Sequence, residues 1–460
     1  MHLLCRRGSA QRAVERVEGN AVAFSGQKGY GDSLYDQVGL EAGAMSRESH
    51  DTLWLAGLCG ARAGAAMMFM AYPAVLPIVQ REWQLSGTAA GSISSAFLLV
   101  GAVSLAVLSA LIDRVGARRI LLWSSVASAA VSLALPLFTD GYVSALILFS
   151  VLAAALAGTY TPGLVLLAER FTPERRGWAI GWFLASASLG YAVALGLAGL
   201  MMVIVGWRAA LFALALGPVV GAALTAAVLR GGPPQHTAAP GLWKFSETMR
   251  RNRAAQLMVA GYTFHCWELL GMWAWTPAYL TVVFAATGLD LSRSAGIGAN
   301  LSALFHVMGI VAASVCGWLS DRWGRTAVII AMMATSTVCS FTFGWLLTAP
   351  LGLLLLVGLV YGFSALGDSP VYSAGITEVV EPAQLGSVLA VRSLLGFGAG
   401  AVAPLAFGAV LDVTAGASDP TRGVWGLAFS VLGIGGVLGM CAMLWLRSLP
   451  EGRQLAGGKR

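Results

Sequence analysis

The chain has 460 residues, of which 57% are hydrophobic and 11% are charged, and its mean hydropathy is +0.74. A soluble domain carries about 25% charged residues, so this composition excludes an ordinary soluble protein, and the net charge of +7 does not by itself indicate nucleic acid. The six cysteines stand singly, with no metal-ligand spacing, and predict neither disulfides nor a metal site.

Residues 1–52 are polar and Gly-rich, and they lack the apolar stretch of a secretory signal peptide. This composition predicts a disordered cytoplasmic tail. A start codon assigned too far upstream is an equally open interpretation, because Met45 stands shortly before the first apolar run.

Twelve apolar runs follow, each long enough to cross a bilayer, for which a helix needs about 20 residues. The polar stretch 230–254 separates six of them from the other six and predicts a cytoplasmic linker. The sequence therefore predicts an all-α integral membrane protein with helical bundles at 53–229 and 255–446 and a short tail at 447–460. The predicted helices 1 to 12 lie near 53–79, 87–112, 120–138, 142–168, 178–205, 209–229, 255–284, 291–319, 326–347, 350–376, 384–411 and 424–446.

A short charged motif occurs twice, 208 residues apart, each time between two apolar runs. The first copy runs from Asp113 to Arg119 and the second from Asp321 to Thr326. We call these segments the signature loops. A carboxylate, guanidinium groups and a Gly that permits a tight reversal suit a short loop between two membrane helices.

The signature loops resemble the loop between helices 2 and 3 of the major facilitator superfamily, Gly-x-x-x-Asp-Arg-x-Gly-Arg-Arg. This chain departs from that pattern at Ser109 and Ala117 in the first copy and at Thr326 in the second. A second repeat matches residues 169–177 with residues 378–386. The resemblance implies a secondary transporter with twelve helices in two pseudo-symmetric six-helix bundles, which work by alternating access.

The resemblance also implies that the loops, with charged residues at the end of helix 4, latch the cytoplasmic face closed. Charge-assisted hydrogen bonds of this kind break and re-form as the halves rock. A purely topological role is the alternative for the same charges. The predicted gating residues are Asp113, Arg114, Gly116, Arg118, Glu169, Arg175, Arg176, Asp321, Arg322 and Arg392.

Basic residues predict the orientation in the membrane. Seventeen Lys and Arg fall in one set of alternate loops and the C-terminal tail, against four in the opposite set. The positive-inside rule then places both termini in the cytoplasm of a bacterial inner-membrane protein.

Ionisable side chains inside membrane helices are costly and usually face a cavity or a partner. The resemblance implies that helices 1, 4, 7 and 10 line a central cavity. In helix 7, His265 and Glu268 are three residues apart and hence on one face. The predicted substrate and proton site comprises Arg62, Tyr160, His265, Glu268, His306 and Asp368.

Several of these residues have a structural alternative. Asp368 and Arg392 fall at similar depth on neighbouring helices and are expected to form a permanent pair. His306 is also explained as a hydrogen-bonded packing residue, and Arg62 as a side chain that reaches back to the interface. An ion pair between Arg62 and Glu268 is not assumed, because the internal repeat places them at different angles around their helices.

An arginine in a cavity suits a small anion, since guanidinium binds carboxylates bidentately. A buried Glu and a His nearby can carry a proton. We therefore expect proton-coupled transport of a small organic or inorganic anion, and the general pattern also resembles nitrate/nitrite carriers. A drug/proton antiporter is the alternative, although Ala194-Leu195 replaces the Gly-Pro that ends the helix-5 motif of such exporters.

Other protein classes find less support in the sequence. It contains no P-loop, HExxH or GxSxG motif, which disfavours an enzyme or an ATP-driven pump. A non-transporting sensor usually carries a soluble output domain, for which the N-terminal tail is a poor candidate. We expect no cofactor, no metal and no nucleic acid. The expected partners are a small-molecule substrate, H⁺ and the lipid bilayer, around a monomer.

Overall fold

The computed structural model describes residues 30–230, 251–415 and 422–459. By internal contacts the chain divides into two units, Met1–Ala56 and Gly57–Arg460; the start of α1 belongs to the first, and the other helices and the site belong to the second. Within the described residues, helices succeed one another with short connections, as the sequence predicts.

We number the membrane-length helices α1 to α12 in chain order and write an interrupted helix as two segments. The first half is α1 to α6 and the second half is α7 to α12. The helices are α1 Tyr30–Met67 and Ala71–Glu82, α2 Gly87–Val115, α3 Ala117–Phe138, α4 Tyr142–Ala157 and Thr161–Arg170, α5 Pro173–Ile204, α6 Trp207–Val228, α7 Arg253–Ala285, α8 Leu291–Trp323, α9 Arg325–Phe343, α10 Leu351–Gly367 and Ser369–Val379, α11 Pro382–Thr414, and α12 Arg422–Ser448.

Eleven helices in the described part of the chain are long and apolar enough to cross a membrane. The twelfth, α7, has 33 residues but falls outside that group. It carries His265 and Glu268, and most of its residues are buried against other helices rather than turned outward. A helix surrounded by protein tolerates polar groups that lipid would not accept.

The chain termini differ from the prediction. Helix α1 begins at Tyr30, so residues 30–52, predicted as a disordered tail, are helical. This stretch contains no Pro, and helix formers such as Leu, Glu and Ala extend the helix back from the membrane. Residues 1–29 and most of the predicted linker lie outside the described residues, and the predicted domain bounds remain a prediction. After α12, Pro450–Gly458 forms short 3₁₀ turns interrupted by a kink, where Leu455 is fully buried.

Each signature loop contains a single residue between two helices. Gly116 joins α2 to α3 with φ +91°, and Gly324 joins α8 to α9 with φ +97°. L-residues with a Cβ rarely adopt this left-handed conformation. The tight reversal predicted from the two glycines is therefore present in both copies, and the loops lie at one end of the helices. We call this the loop end and the opposite one the far end.

Two helices are interrupted at equivalent positions of the internal repeat. The second segment of α4 begins Thr161-Pro162, and the second segment of α10 begins Ser369-Pro370, 208 residues later. Proline lacks the N–H that would continue the helix, but it fits a first turn. Both breaks free polar backbone and side-chain groups in the middle of the protein.

The two halves pack closely at the far end. A Cβ at Gly199 on α5 would lie 2.6 Å from the carbonyl oxygen of Gly296 on α8, and Gly91 on α2 meets the carbonyl of Pro404 on α11 in the same way. Small residues permit such approach of helix backbones. Nearer the loop end of the same helices, a Cβ at Gly181, Gly317 or Gly386 would meet nothing within 4 Å. We infer that the space between the halves opens toward the signature loops.

Candidate functional site

Aromatic side chains from both halves meet between the helices. Trp273 of α7 lies 5.3 Å from Tyr191 of α5 and 6.0 Å from Phe69 at the 3₁₀ turn of α1, measured between ring centroids. His306 of α8 lies 4.8 Å from Trp273, and Phe97 of α2 lies 5.4 Å from Phe69. We call these five residues the aromatic plug, because they fill the path between the halves.

The predicted site residue His306 belongs to this plug. It is buried, and its ring packs edge-on to Tyr191 at 5.7 Å as well as against Trp273. These are aromatic packing contacts, and a substrate or proton role for His306 stays a prediction.

Arg62 lies beside the interruption of α4. Its Nη1 donates to Thr159 Oγ1 at 3.4 Å, and its guanidinium carbon lies 5.1 Å from the ring centroid of Tyr160 and 5.8 Å from that of Phe183. A cation over aromatic faces is stabilised by the ring quadrupoles. The Nε of Arg62 is buried without a hydrogen-bond partner. The side chain therefore points to the α4 break rather than back to the interface.

Arg392 of α11 has similar surroundings in the second half. Its Nη1 donates to Ser373 Oγ at 3.1 Å, its guanidinium carbon lies 4.2 Å from the ring centroid of Tyr262, and its Nε has no partner. The expected pair with Asp368 is wrong. Similar depth on neighbouring helices did not bring the two side chains together, because Asp368 turns toward α7 instead.

His265 and Asp368 form the buried pair of the second half. His265 Nδ1 lies 2.9 Å from Asp368 Oδ1, with both side chains at most 3% exposed. The contact is a close approach of the two groups rather than an aligned hydrogen bond. His265 Nε2 is 2.7 Å from Ser369 Oγ, so α7 is joined to α10 at its break.

Glu268 lies inside the second half, away from the plug. Its Oε2 accepts a hydrogen bond from Ser336 Oγ of α9 at 3.2 Å, and its Oε1 and the neighbouring Thr337 Oγ1 are buried without partners. The expectation that Glu268 lines the central cavity beside His265 is therefore not met. Three residues turn a helix by about 300°, so the two side chains diverge by roughly 60°, enough to face different neighbouring helices.

The first signature loop makes contacts within the first half. Arg118 donates to the carbonyl of Leu229 at the end of α6, and Arg175 lies 5.9 Å from the Trp178 ring. Arg114 is exposed, Glu169 is not without a partner, and the Nε of Arg176 is buried without a hydrogen bond. The side chain of Asp113 lies outside the described part of the structure, so its latch stays a prediction.

The second signature loop contains a charge network of the predicted kind. Arg325 contacts Asp321 at 2.6 Å and Glu378, at the end of α10, at 2.7 Å. Arg322 lies 4.0 Å from the ring of Trp318 instead of joining this network. Sequence reasoning named neither Arg325 nor Glu378 as a gating residue. The signal was present, because Glu378 begins the repeat that matches Glu169.

Asp412 joins the halves at the far end. Its Oδ1 accepts from Gly87 N–H at 2.6 Å, and its Oδ2 accepts from Thr88 N–H at 2.8 Å and Thr88 Oγ1 at 2.6 Å. The carboxylate of α11 thus caps the first turn of α2, where free N–H groups favour an anion. Sequence reasoning missed this contact, since Asp412 lies just beyond the predicted end of helix 11.

The described residues hold no cluster of His, Cys, Asp and Glu suited to a metal ion. Twelve long helices in two halves, with charged and aromatic groups buried between them, define a polytopic membrane transporter. The family model of the Major Facilitator Superfamily matches residues 58–312, more than half of the chain. The chain belongs to this superfamily, and it is a carrier of small molecules rather than an enzyme.

Two relatives with assigned names are transporters. The probable nitrate/nitrite transporter NarK2 of Mycobacterium tuberculosis is 26% identical over 358 residues, which cover 72% of this chain and 82% of that protein. The probable 4-methylmuconolactone transporter of Cupriavidus pinatubonensis is 23% identical over 322 residues, covering 64% of this chain and 68% of that protein.

Solved structures support the fold. The nucleoside transporter NupG is 14% identical, with a TM-score of 0.68 over 85% of this chain and 99% of that one. A bacterial homologue of the human lysosomal transporter Spinster, in an inward-facing and occupied conformation, is also 14% identical, with a TM-score of 0.69 over 87% and 98% of the two chains. At this identity the likeness concerns the fold alone.

Proposed function

We propose that the chain moves a small anion across the bacterial inner membrane by proton-coupled alternating access. The observation that carries this proposal is the pair of half-buried guanidinium groups, Arg62 in the first half and Arg392 in the second. Within the described residues neither has a carboxylate partner. An uncompensated cation between membrane helices is costly, and an anionic substrate supplies the missing charge.

The named relatives are consistent with an anion. One is named for nitrate and nitrite, and the other for 4-methylmuconolactone. One of these substrates is inorganic and the other organic. The two names therefore support an anionic cargo but do not indicate its size.

Closure at the far end supports alternating access. The plug, the glycine contacts and Asp412 close the far end, whereas Gly181, Gly317 and Gly386 nearer the signature loops have no close neighbour. The positive-inside rule places the loop end and both termini in the cytoplasm. The described state is then inward-facing, and Arg62 and Arg392 are reached from the cytoplasm.

Proton coupling rests on two buried carboxyl groups of the second half. Glu268 accepts a hydrogen bond from Ser336 and has no ion-pair partner within the described residues, and Asp368 contacts His265. Removing an ionised carboxylate from water costs several kcal/mol unless a partner compensates. A proton that binds and leaves one of these groups as the cavity opens would link the pH gradient to transport.

Proteoliposomes that contain the purified carrier test this function. Counterflow of labelled nitrate, labelled benzoate and a cationic dye should show exchange of an anion, and an inward-directed pH gradient should drive its accumulation. If the dye is exchanged and neither nitrate nor benzoate is, the proposal is overturned and the drug/proton antiporter is favoured. Anion exchange that ignores the pH gradient would remove the coupling while leaving the substrate class.

A further inference from the structure

We propose that the cargo is an organic carboxylate with a flat apolar body, bound between Arg62 and Arg392, and not an inorganic ion such as nitrate. This inference rests on the proposed anion transport and selects within it. The inference follows from two observations: which N–H groups of the two guanidiniums already have acceptors in the protein, and which side chains surround them.

The two arginines are held in the same manner. In each, Nη1 donates to one hydroxyl, Thr159 for Arg62 and Ser373 for Arg392, and Nε is buried without a partner. A bidentate carboxylate uses two neighbouring N–H groups of the guanidinium fork, such as Nε and Nη2. Buried donors without partners are rare. A carboxylate oxygen provides the missing acceptor when the side chains rearrange around the cargo.

The remaining neighbours of both groups are aromatic. Arg62 faces Tyr160 and Phe183, and Arg392 faces Tyr262. Tyr262 of the second half and Phe69 of the first half pack against the same small hydrophobic cluster, so the ring beside Arg392 is continuous with the aromatic plug. A small inorganic anion is satisfied by donors on every side, whereas aromatic faces favour a flat apolar body.

The plug extends this aromatic surface toward the far end. Phe69 follows Arg62 by seven residues on α1, and Trp273 follows Tyr262 by eleven on α7, about 10 Å and 16 Å along the helices. An anion of benzoate size can therefore place its carboxylate at the arginines and its ring toward the plug. A nitrate ion at the same place would reach the guanidiniums but would leave this aromatic surface without a partner.

Binding to the purified full-length carrier tests the inference, with benzoate and nitrate as probes and tryptophan fluorescence as the signal. We expect benzoate to bind at least about tenfold more tightly than nitrate. Tyr262→Leu removes the ring below Arg392 and should weaken benzoate about tenfold, while Tyr262→Phe should stay within about threefold of wild type. Trp318→Leu is the matched control, because it removes a ring below Arg322 at the exposed loop end.

Competition in the wild-type protein decides the question even if Tyr262→Leu does not fold. Displacement of benzoate only by a large excess of nitrate supports the inference. Nitrate that binds as tightly as benzoate, or tighter, overturns it and leaves anion transport intact. Failure of both anions, together with binding of a cationic dye, would overturn the inference and the proposed function together.

Discussion

The contact of Asp412 with the start of α2 should stabilise the conformation that is closed at the far end. Asp412→Ala removes the acceptor for two N–H groups and one hydroxyl, those of Gly87 and Thr88. Removing a capping side chain costs about 0.5–2 kcal/mol, and here water can replace part of the loss because Asp412 is exposed. Since the contact joins the two halves, the cost falls on the closed state alone. About 1.4 kcal/mol would raise the open population roughly tenfold.

Distances between spin labels at the far end measure this population. Labels at Val205 and Leu351, which are exposed and lie in different halves, should show a larger long-distance fraction in Asp412→Ala than in the wild-type background. Asp140→Ala is the matched control, because its ion pair with Arg208 lies within the first half. Identical distance distributions for Asp412→Ala and wild type would refute a role of Asp412 in closure.

Three further predictions have defined outcomes. Glu268→Gln mimics a protonated acid, so it should abolish accumulation driven by a pH gradient and spare exchange; full accumulation would shift coupling to Asp368. Because Asp368 and Arg392 do not form an ion pair, the transport defects of Asp368→Asn and Arg392→Gln should add in the double variant. A double variant that transports faster than this sum predicts would show that the two residues do pair. Asp113→Asn should slow transport although the variant is present in the membrane at normal abundance, as expected for a latch. Unchanged transport would mean that this loop serves only to fix the topology.

The sequence predicted the helices and the loops because these follow from local patterns. Apolar runs of membrane length specify helices whatever their neighbours are, and the glycines at 116 and 324 specify a reversal that few other residues permit. The interruption of α10 was not predicted, although Ser369-Pro370 contains the proline that ends a helical hydrogen-bond ladder. The break in α4 was not predicted either, although Thr161-Pro162 stands at the equivalent position of the repeat.

The site was predicted in composition but not in its pairings. The intramembrane charges could be found one by one, because each is costly in a bilayer. Which of them meet depends on rotation about each helix, and a difference of about 60° sends His265 to Asp368 and Glu268 to Ser336. Arg392 was assigned to gating, but its contact with Tyr262 gives it the same surroundings as Arg62.

Benzoate uptake into proteoliposomes by Arg62→Gln and Arg392→Gln tests the central claim most directly. The far-end Arg208→Gln is the control, because its partners Glu82 and Asp140 lie outside the site. Each site variant should lose at least about tenfold in uptake, since a charge-assisted bidentate contact is removed, while Arg208→Gln should retain uptake close to wild type. Wild-type uptake by both site variants would contradict the claim that these two arginines bind the anion.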